Sequence, residues 1–280
     1  MREVPTTTRC ARACTGGIVV GLRIVDGEVI VDHAENDHLN TGTEGNPIEL
    51  SFRGMTVHSV FGRRRISAKM ARNRTAKLQG DNCPLIYALK GLDELTVLRT
   101  SVKRLNDSIP VILDVIEAKV LHQIDVIVPM PSSSGLALIL ARRLWRRMAS
   151  QNGTQLRTDI IVKSTNLQAS ARAKGLTAPN NKALAYKEAN ELKAIIRTLH
   201  ATSAAPYAAK EVKTRFRKYF DPLQLAQGIA PVAAGTRFLL VDDLMATGET
   251  LVAAIGLLTA GGTCTVDHAV TWFSPLGEPT

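Results

Sequence analysis

The run Phe238-Leu-Leu-Val-Asp-Asp-Leu-Met-Ala-Thr-Gly-Glu-Thr-Leu251 constrains the fold of this 280-residue chain more than any other segment. Phe238 to Val241 is apolar enough for a fully buried strand, and the pattern stops at two adjacent carboxylates, Asp242 and Asp243. A short turn through Ala246, Thr247 and Gly248 then opens an apolar helix, expected over Thr250 to Ala260. In an open α/β sheet, ligands bind where a strand's carboxyl end meets the next helix. Free N–H groups and the positive end of the helix dipole point outward there, which favours an anion. Carboxylates this close repel a bare phosphate, so their better partners are sugar hydroxyls or a Mg2+ that travels with the ligand. A ribose phosphate fits both halves.

Val241-Asp-Asp-Leu-Met-Ala-Thr-Gly-Glu-Thr250 resembles the 5-phosphoribosyl-1-pyrophosphate (PRPP) loop of type I phosphoribosyltransferases. The resemblance implies that Asp242 and Asp243 are the catalytic pair holding the ribose hydroxyls. It places the 5-phosphate on Ala246, Thr247, Gly248, Glu249 and Thr250. Upstream, Asp125-Val-Ile-Val-Pro-Met-Pro-Ser-Ser-Ser-Gly135 reads as a second buried strand ending in a turn, with a helix behind it from Leu136 to Met148. Small residues let backbone approach an anion closely, and the hydroxyls add donors. The family keeps its pyrophosphate loop here, so Met130, Pro131, Ser132, Ser133, Ser134 and Gly135 become pyrophosphate candidates. The basic residue often found in that loop is missing before Arg142.

Pro84-Leu-Ile-Tyr-Ala-Leu-Lys-Gly91 reads as a strand closing on Lys90 before a helix over Leu92 to Leu105. This order is similar to the ComF-like branch of the family and adds Lys90 as a point charge for pyrophosphate. The implied activity is transfer of ribose 5-phosphate from PRPP, with Mg2+, to a nitrogen acceptor such as a nucleobase; no base-reading residue identifies the acceptor. Beyond Asp242 and Asp243, no direct protein ligand for the metal is expected.

Ile18 to Val25 and Glu28 to Asp32 flank Asp26-Gly27, and Ile48 to Phe52 and Met55 to Phe61 flank Arg53-Gly54, two hairpin patterns in the first quarter. Further on, strands are expected at Leu85 to Leu89, Asp125 to Pro129, Asp159 to Lys163, Arg237 to Val241 and Thr263 to Trp272, alternating with helices. The fold class is therefore α/β, a mostly parallel sheet with helices on both faces and a β-rich N-terminal extension. Residues 1–62 are assigned to the extension and 63–280 to the α/β domain, with an insertion or mobile loop at about 164–235. Ser164 to Gly175 is small and polar, and a helix is expected from Ala183 to Leu199. A flexible loop covers PRPP in the family, which makes Arg172 and Lys174 further pyrophosphate candidates.

Lys and Arg number 35 against 25 Asp and Glu, a net charge of +10. The excess clusters at Arg63 to Lys77, at Arg142, Arg143, Arg146 and Arg147, and at Lys210 to Lys218. Such patches suit nucleic acid as well as solvent. Two other functions therefore stay open: a PRPP-sensing or nucleic-acid-binding regulator without turnover, and an effector (toxin) of a bacterial antiphage system such as a retron, bound to reverse transcriptase and DNA. An oligomer or a protein complex is expected. Cys10, Cys14, Cys83 and Cys264 are too few for a disulfide framework and are read as free thiols. His33 to His38 lacks an obvious third metal ligand. No apolar stretch reaches membrane-spanning length and the first residues lack an apolar signal core, so a cytoplasmic protein is expected.

Overall fold

The computed structural model describes residues 21–32, 39–63, 83–120, 123–178, 180–181, 183–229, 232–245 and 247–275. Strands β1 (Gly21–Val25) and β2 (Glu28–Asp32) form the first expected hairpin. Asp26 and Gly27 take φ of 49° and 80°, the left-handed pair a two-residue turn requires. After the short β3 (Leu39–Asn40), Arg53 and Gly54 repeat this device at φ of 49° and 84° between β4 (Ile48–Phe52) and β5 (Met55–Arg63).

Pro84–Leu89 is a helix, α1, and not the expected strand. Six residues that are nearly all apolar carry no period, and Pro84 stands in the first turn, where its missing N–H costs nothing. The short strand β6 (Thr96–Val97) precedes α2 (Arg99–Val120), which starts later and runs far longer than the helix expected over Leu92 to Leu105. Pro110 lies inside α2, yet the buried stripe Leu105, Ile109, Ile112, Leu113, Ile116 and Val120 holds the helix together.

The α/β core follows with β7 (Val126–Pro129), α3 (Leu136–Asn152), β8 (Gln155–Leu156) and β9 (Ile161–Lys163). Then come α4 (Asn166–Ala169), α5 (Ala171–Leu176), α6 (Tyr186–His200), α7 (Thr214–Arg217) and β10 (Leu223–Leu225). The chain returns through β11 (Arg237–Leu244), α8 (Glu249–Thr259) and β12 (Thr265–Pro275).

The main sheet has seven strands in the order β3-β5-β12-β11-β7-β8, with β4 paired to β5. β5, β12, β11, β7 and β8 run parallel, whereas β3 and β4 pair with β5 antiparallel, so the sheet is mixed. It also crosses the expected boundary at 62/63, because β5 runs to Arg63 and pairs along β12. β9 pairs instead with β10 in a separate two-stranded sheet. One face of the main sheet packs Leu239, Val241 and Val270 against α2 and α3; the other packs Phe238, Leu240 and Ala269 against Leu251, Ala254, Ile161 and Leu223. The segment after Lys163 reads as small and polar, but it forms helices around a core of its own containing Leu192, Ile196, Tyr207, Phe216 and Phe220.

A buried histidine on β5, His58, meets a half-buried one on the neighbouring β12, His268. His58 Nε2 lies 3.2 Å from His268 Nδ1, and His268 Nε2 lies 2.8 Å from Gln123 Oε1. Burial lowers the His58 pKa to about 4, against a weaker upward pull from Glu49 and helped by His268 and then Lys119; burial also lowers that of His268. A histidine whose folded pKa lies below its unfolded value of about 6.5 stabilises the fold above that value and loses the contribution as pH falls towards 4. Urea unfolding should show stability dropping by about 1–3 kcal/mol across this window. His58→Leu should flatten the slope.

Candidate active site

β11 runs three residues beyond the expected end at Val241 and carries both carboxylates within the strand. Successive strand residues face opposite sides. Asp243 therefore shares a face with Leu239 and Val241 and meets α1 and the loop after β7, while Asp242 shares the other face with Phe238 and Leu240. Both are about nine-tenths buried.

Asp243 Oδ2 is a hub. Lys90 Nζ lies 2.7 Å away, Ser132 Oγ donates at 3.1 Å and Ser134 Oγ at 3.2 Å. Ser132 and Ser134 are themselves 2.9 Å apart. One carboxylate oxygen thus ties α1, the 130–135 loop and β11 together. Lys90 is the C-cap of α1, and its charge suits the negative end of that helix. Among the described residues Asp242 has no cationic partner in contact. Burial first, and the neighbouring Asp243 second, push its pKa up to about 7, although the Asp243 N–H donates to its Oδ1 at 2.8 Å.

The two loops share a backbone device. Gly135 (φ 69°, ψ 1°) precedes α3 and Gly248 (φ 76°, ψ 1°) precedes α8, both left-handed. A left-handed residue ahead of a helix turns successive N–H groups towards one point, and the helix dipole adds positive potential there. Gly248 has a second constraint. A Cβ on it would sit 2.3 Å from Phe52 Cζ and 2.5 Å from Cε1, so the ring from the N-terminal hairpin fills the space beside the turn.

Lys90, Met130, Pro131, Ser132, Ser133, Ser134, Asp242, Asp243 and Thr250 line one cavity of about 500 Å3. Gly135 lines a smaller neighbouring cavity with Met130 and Ser132, and Thr247, Gly248 and Glu249 stand at the start of α8. Ala246 lies outside the described residues. Arg172 and Lys174 are not brought to the cavity: Arg172 pairs with Asp221 at 3.1 Å and donates to the Lys218 carbonyl, and Lys174 is exposed on α5. The stretch from the end of β9 to the start of β10 supplies a different wall, Lys163, Tyr207, Ala208, Ala209, Pro222 and Leu223. Those residues carry no local signal, because folding brings them from both ends of a sixty-residue excursion.

Part of the charged clusters is paired with acids. Arg147 pairs with Asp114 and Glu117, and Arg215 and Lys213 with Glu191. In the first cluster, Arg64 to Lys77 lie outside the described residues, as do Cys10, Cys14 and His33 to His38. Cys83 and Cys264 are free, and burial lifts the Cys83 thiol to about 11. Among the described residues, no helix is long and apolar enough to cross a membrane.

A strand-end carboxylate pair thus stands between two helix N-termini and is faced by a lysine. A family model for the phosphoribosyl transferase domain matches residues 119–279, more than half of the chain, and the chain belongs to that family. No curated protein and no solved structure matches it. Lys90 and Phe52 lie outside the matched segment.

Proposed function

We propose that this chain is an enzyme of the type I phosphoribosyltransferase class, transferring ribose 5-phosphate from PRPP to a nitrogen acceptor. The observation that carries this reading is the Asp243 hub, which gathers Lys90, Ser132 and Ser134 at the mouth of the cavity that Asp242 and Thr250 also line. Asp242 and Asp243 hold the ribose hydroxyls, the 246–250 turn takes the 5-phosphate, and the 130–135 loop with Lys90 receives pyrophosphate. When pyrophosphate enters, Lys90 moves from Asp243 to the incoming anion, freeing the carboxylate for the sugar. A nitrogen lone pair then attacks C1 as the C1–O bond breaks, and pyrophosphate leaves with the electron pair.

Among the described residues no group of three or more His, Cys, Asp or Glu would hold a metal alone, while two adjacent carboxylates suit a Mg2+ that keeps water and substrate oxygens. Bound with PRPP, that ion would be held through Asp242 and Asp243 and would neutralise leaving-group charge. The wall from the stretch between β9 and β10, largely Ala208, Ala209, Pro222 and Leu223, offers an apolar surface for a flat acceptor.

The regulator and antiphage-effector readings keep the net charge of +10 as their support. Pyrophosphate release from PRPP and Mg2+ across a panel of nucleobases and nucleotides separates the three. Turnover supports the enzyme, saturable PRPP binding without turnover the regulator, and co-purifying nucleic acid the effector. Lys90→Met should weaken pyrophosphate binding about 10- to 100-fold while ribose 5-phosphate affinity stays within about threefold. Equal losses for both ligands would remove Lys90 from the pyrophosphate site.

A further inference from the structure

A second cavity of about 200 Å3 lies at the carboxyl end of β5 and β12, between α2 and α3. Phe61, Trp272 and Phe273 form its floor, Leu105 and Ile109 one side, and Ile139 stands at its edge, 45% exposed. An apolar cavity of about 150 Å3 takes a benzene ring, so this space accommodates one ring with a short arm.

Its polar groups converge on one point. Arg143 reaches in from α3, with its guanidinium carbon 5.7 Å from the centre of the Trp272 ring, and Nη2 donates to Asn106 Oδ1 at 2.9 Å. Among the described residues no carboxylate pairs with it. Its neighbour one turn on, Arg147, pairs with Asp114 and Glu117, and Arg147 and Arg146 add like charge. Burial and those two neighbours lower the Arg143 pKa. A half-buried cation whose hydrogen bonding among the described residues is to Asn106 calls for an anion, and the aromatic floor calls for an apolar body.

We infer that this cavity is a binding site for a small aromatic carboxylate, its ring against Phe61 and Trp272 and its carboxylate on Arg143. The site is distinct from the acidic cavity, although Leu89 and Leu136 in its wall are next in sequence to Lys90 and Gly135. Neutral Asn106 completes the recognition by holding the guanidinium in place.

The probes are phenylacetate and its neutral isostere phenylacetamide, titrated against the full chain by saturation-transfer NMR. Wild type should bind phenylacetate with Kd of about 0.1–5 mM, a range set by the affinity per atom of small ligands, and at least tenfold tighter than the amide. Arg143→Gln should bring the acid down to the level of the amide and leave the amide unchanged. Arg143→Lys should restore part of the difference. Equal binding of acid and amide by wild type, an undiminished preference in Arg143→Gln, or no binding of either probe up to about 20 mM would each overturn the inference. Should Arg143→Gln fail to fold, the acid-to-amide ratio in wild type and in Arg143→Lys decides the matter alone.

Discussion

Replacing Asp242 and Asp243 together by Asn should abolish the rise in melting temperature that PRPP with Mg2+ gives the native protein, and Asp242→Asn alone should make the ligand-free protein more stable at pH 8. The first effect follows from mass action: a ligand that binds only the folded state stabilises it, and at about 100 times Kd the gain is about 2.7 kcal/mol. The second follows from Asp242. Its folded pKa stands at about 7, raised by burial and by Asp243, against about 4 unfolded. A carboxylate whose folded pKa is raised loses stability as pH climbs between the two values, because the unfolded chain ionises first. Asn keeps the acceptor for the Asp243 N–H and removes the charge. A gain of about 3–6 °C at pH 8, fading below pH 5, is expected for the ligand-free Asp242→Asn variant. A destabilised Asp242→Asn variant would mean that this carboxylate serves the fold. An unchanged PRPP response in the double variant would remove both residues from the sugar site.

The next largest effect belongs to Gly248→Val. A β-branched residue at φ 76° is strained, and its Cβ would lie 2.3 Å from the Phe52 ring. The variant should lose about 2–4 kcal/mol of stability and bind PRPP at least 50-fold more weakly, since the turn that aims the N–H groups must shift. The sequence alone assigns the need for glycine to the phosphate; the structure adds Phe52. A double-mutant cycle separates the two. Gly248→Ala combined with Phe52→Ala should be about 1–2 kcal/mol more stable than the sum of the single changes predicts, while PRPP binding stays weak in both backgrounds. Strict additivity would show that Phe52 is not what fills the space.

The turn at 242–250 was legible because its chemistry is local: a buried strand, two acids, a left-handed glycine and a helix occupy fourteen consecutive residues. The hairpins at Asp26-Gly27 and Arg53-Gly54 were legible for the same reason, since each turn needs two residues at positive φ. What the sequence hid depends on tertiary packing. Pro84–Leu89 is short and apolar throughout, so strand and helix look alike until its neighbours are known. Pro110 breaks the pattern of α2 on paper, yet the apolar stripe on either side of it outweighs one lost hydrogen bond. Lys163, Tyr207 and Leu223 reach the cavity through a helical segment that turns back on itself around Phe216 and Phe220. Polar composition suggests an insertion or mobile loop there; the structure shows that alanines and spaced aromatics pack a small core within it. Phe52 is the clearest loss, a hairpin residue whose partner lies almost two hundred positions away.

Calorimetric titration of PRPP with Mg2+ into the wild-type chain tests the central claim most directly. One-to-one saturation with Kd of about 1–100 μM is expected at pH 8, with affinity falling towards tenfold per pH unit well below pH 7 as Asp242 takes up its proton. Absence of saturable binding by the folded protein up to about 10 mM PRPP would contradict the assignment of this site.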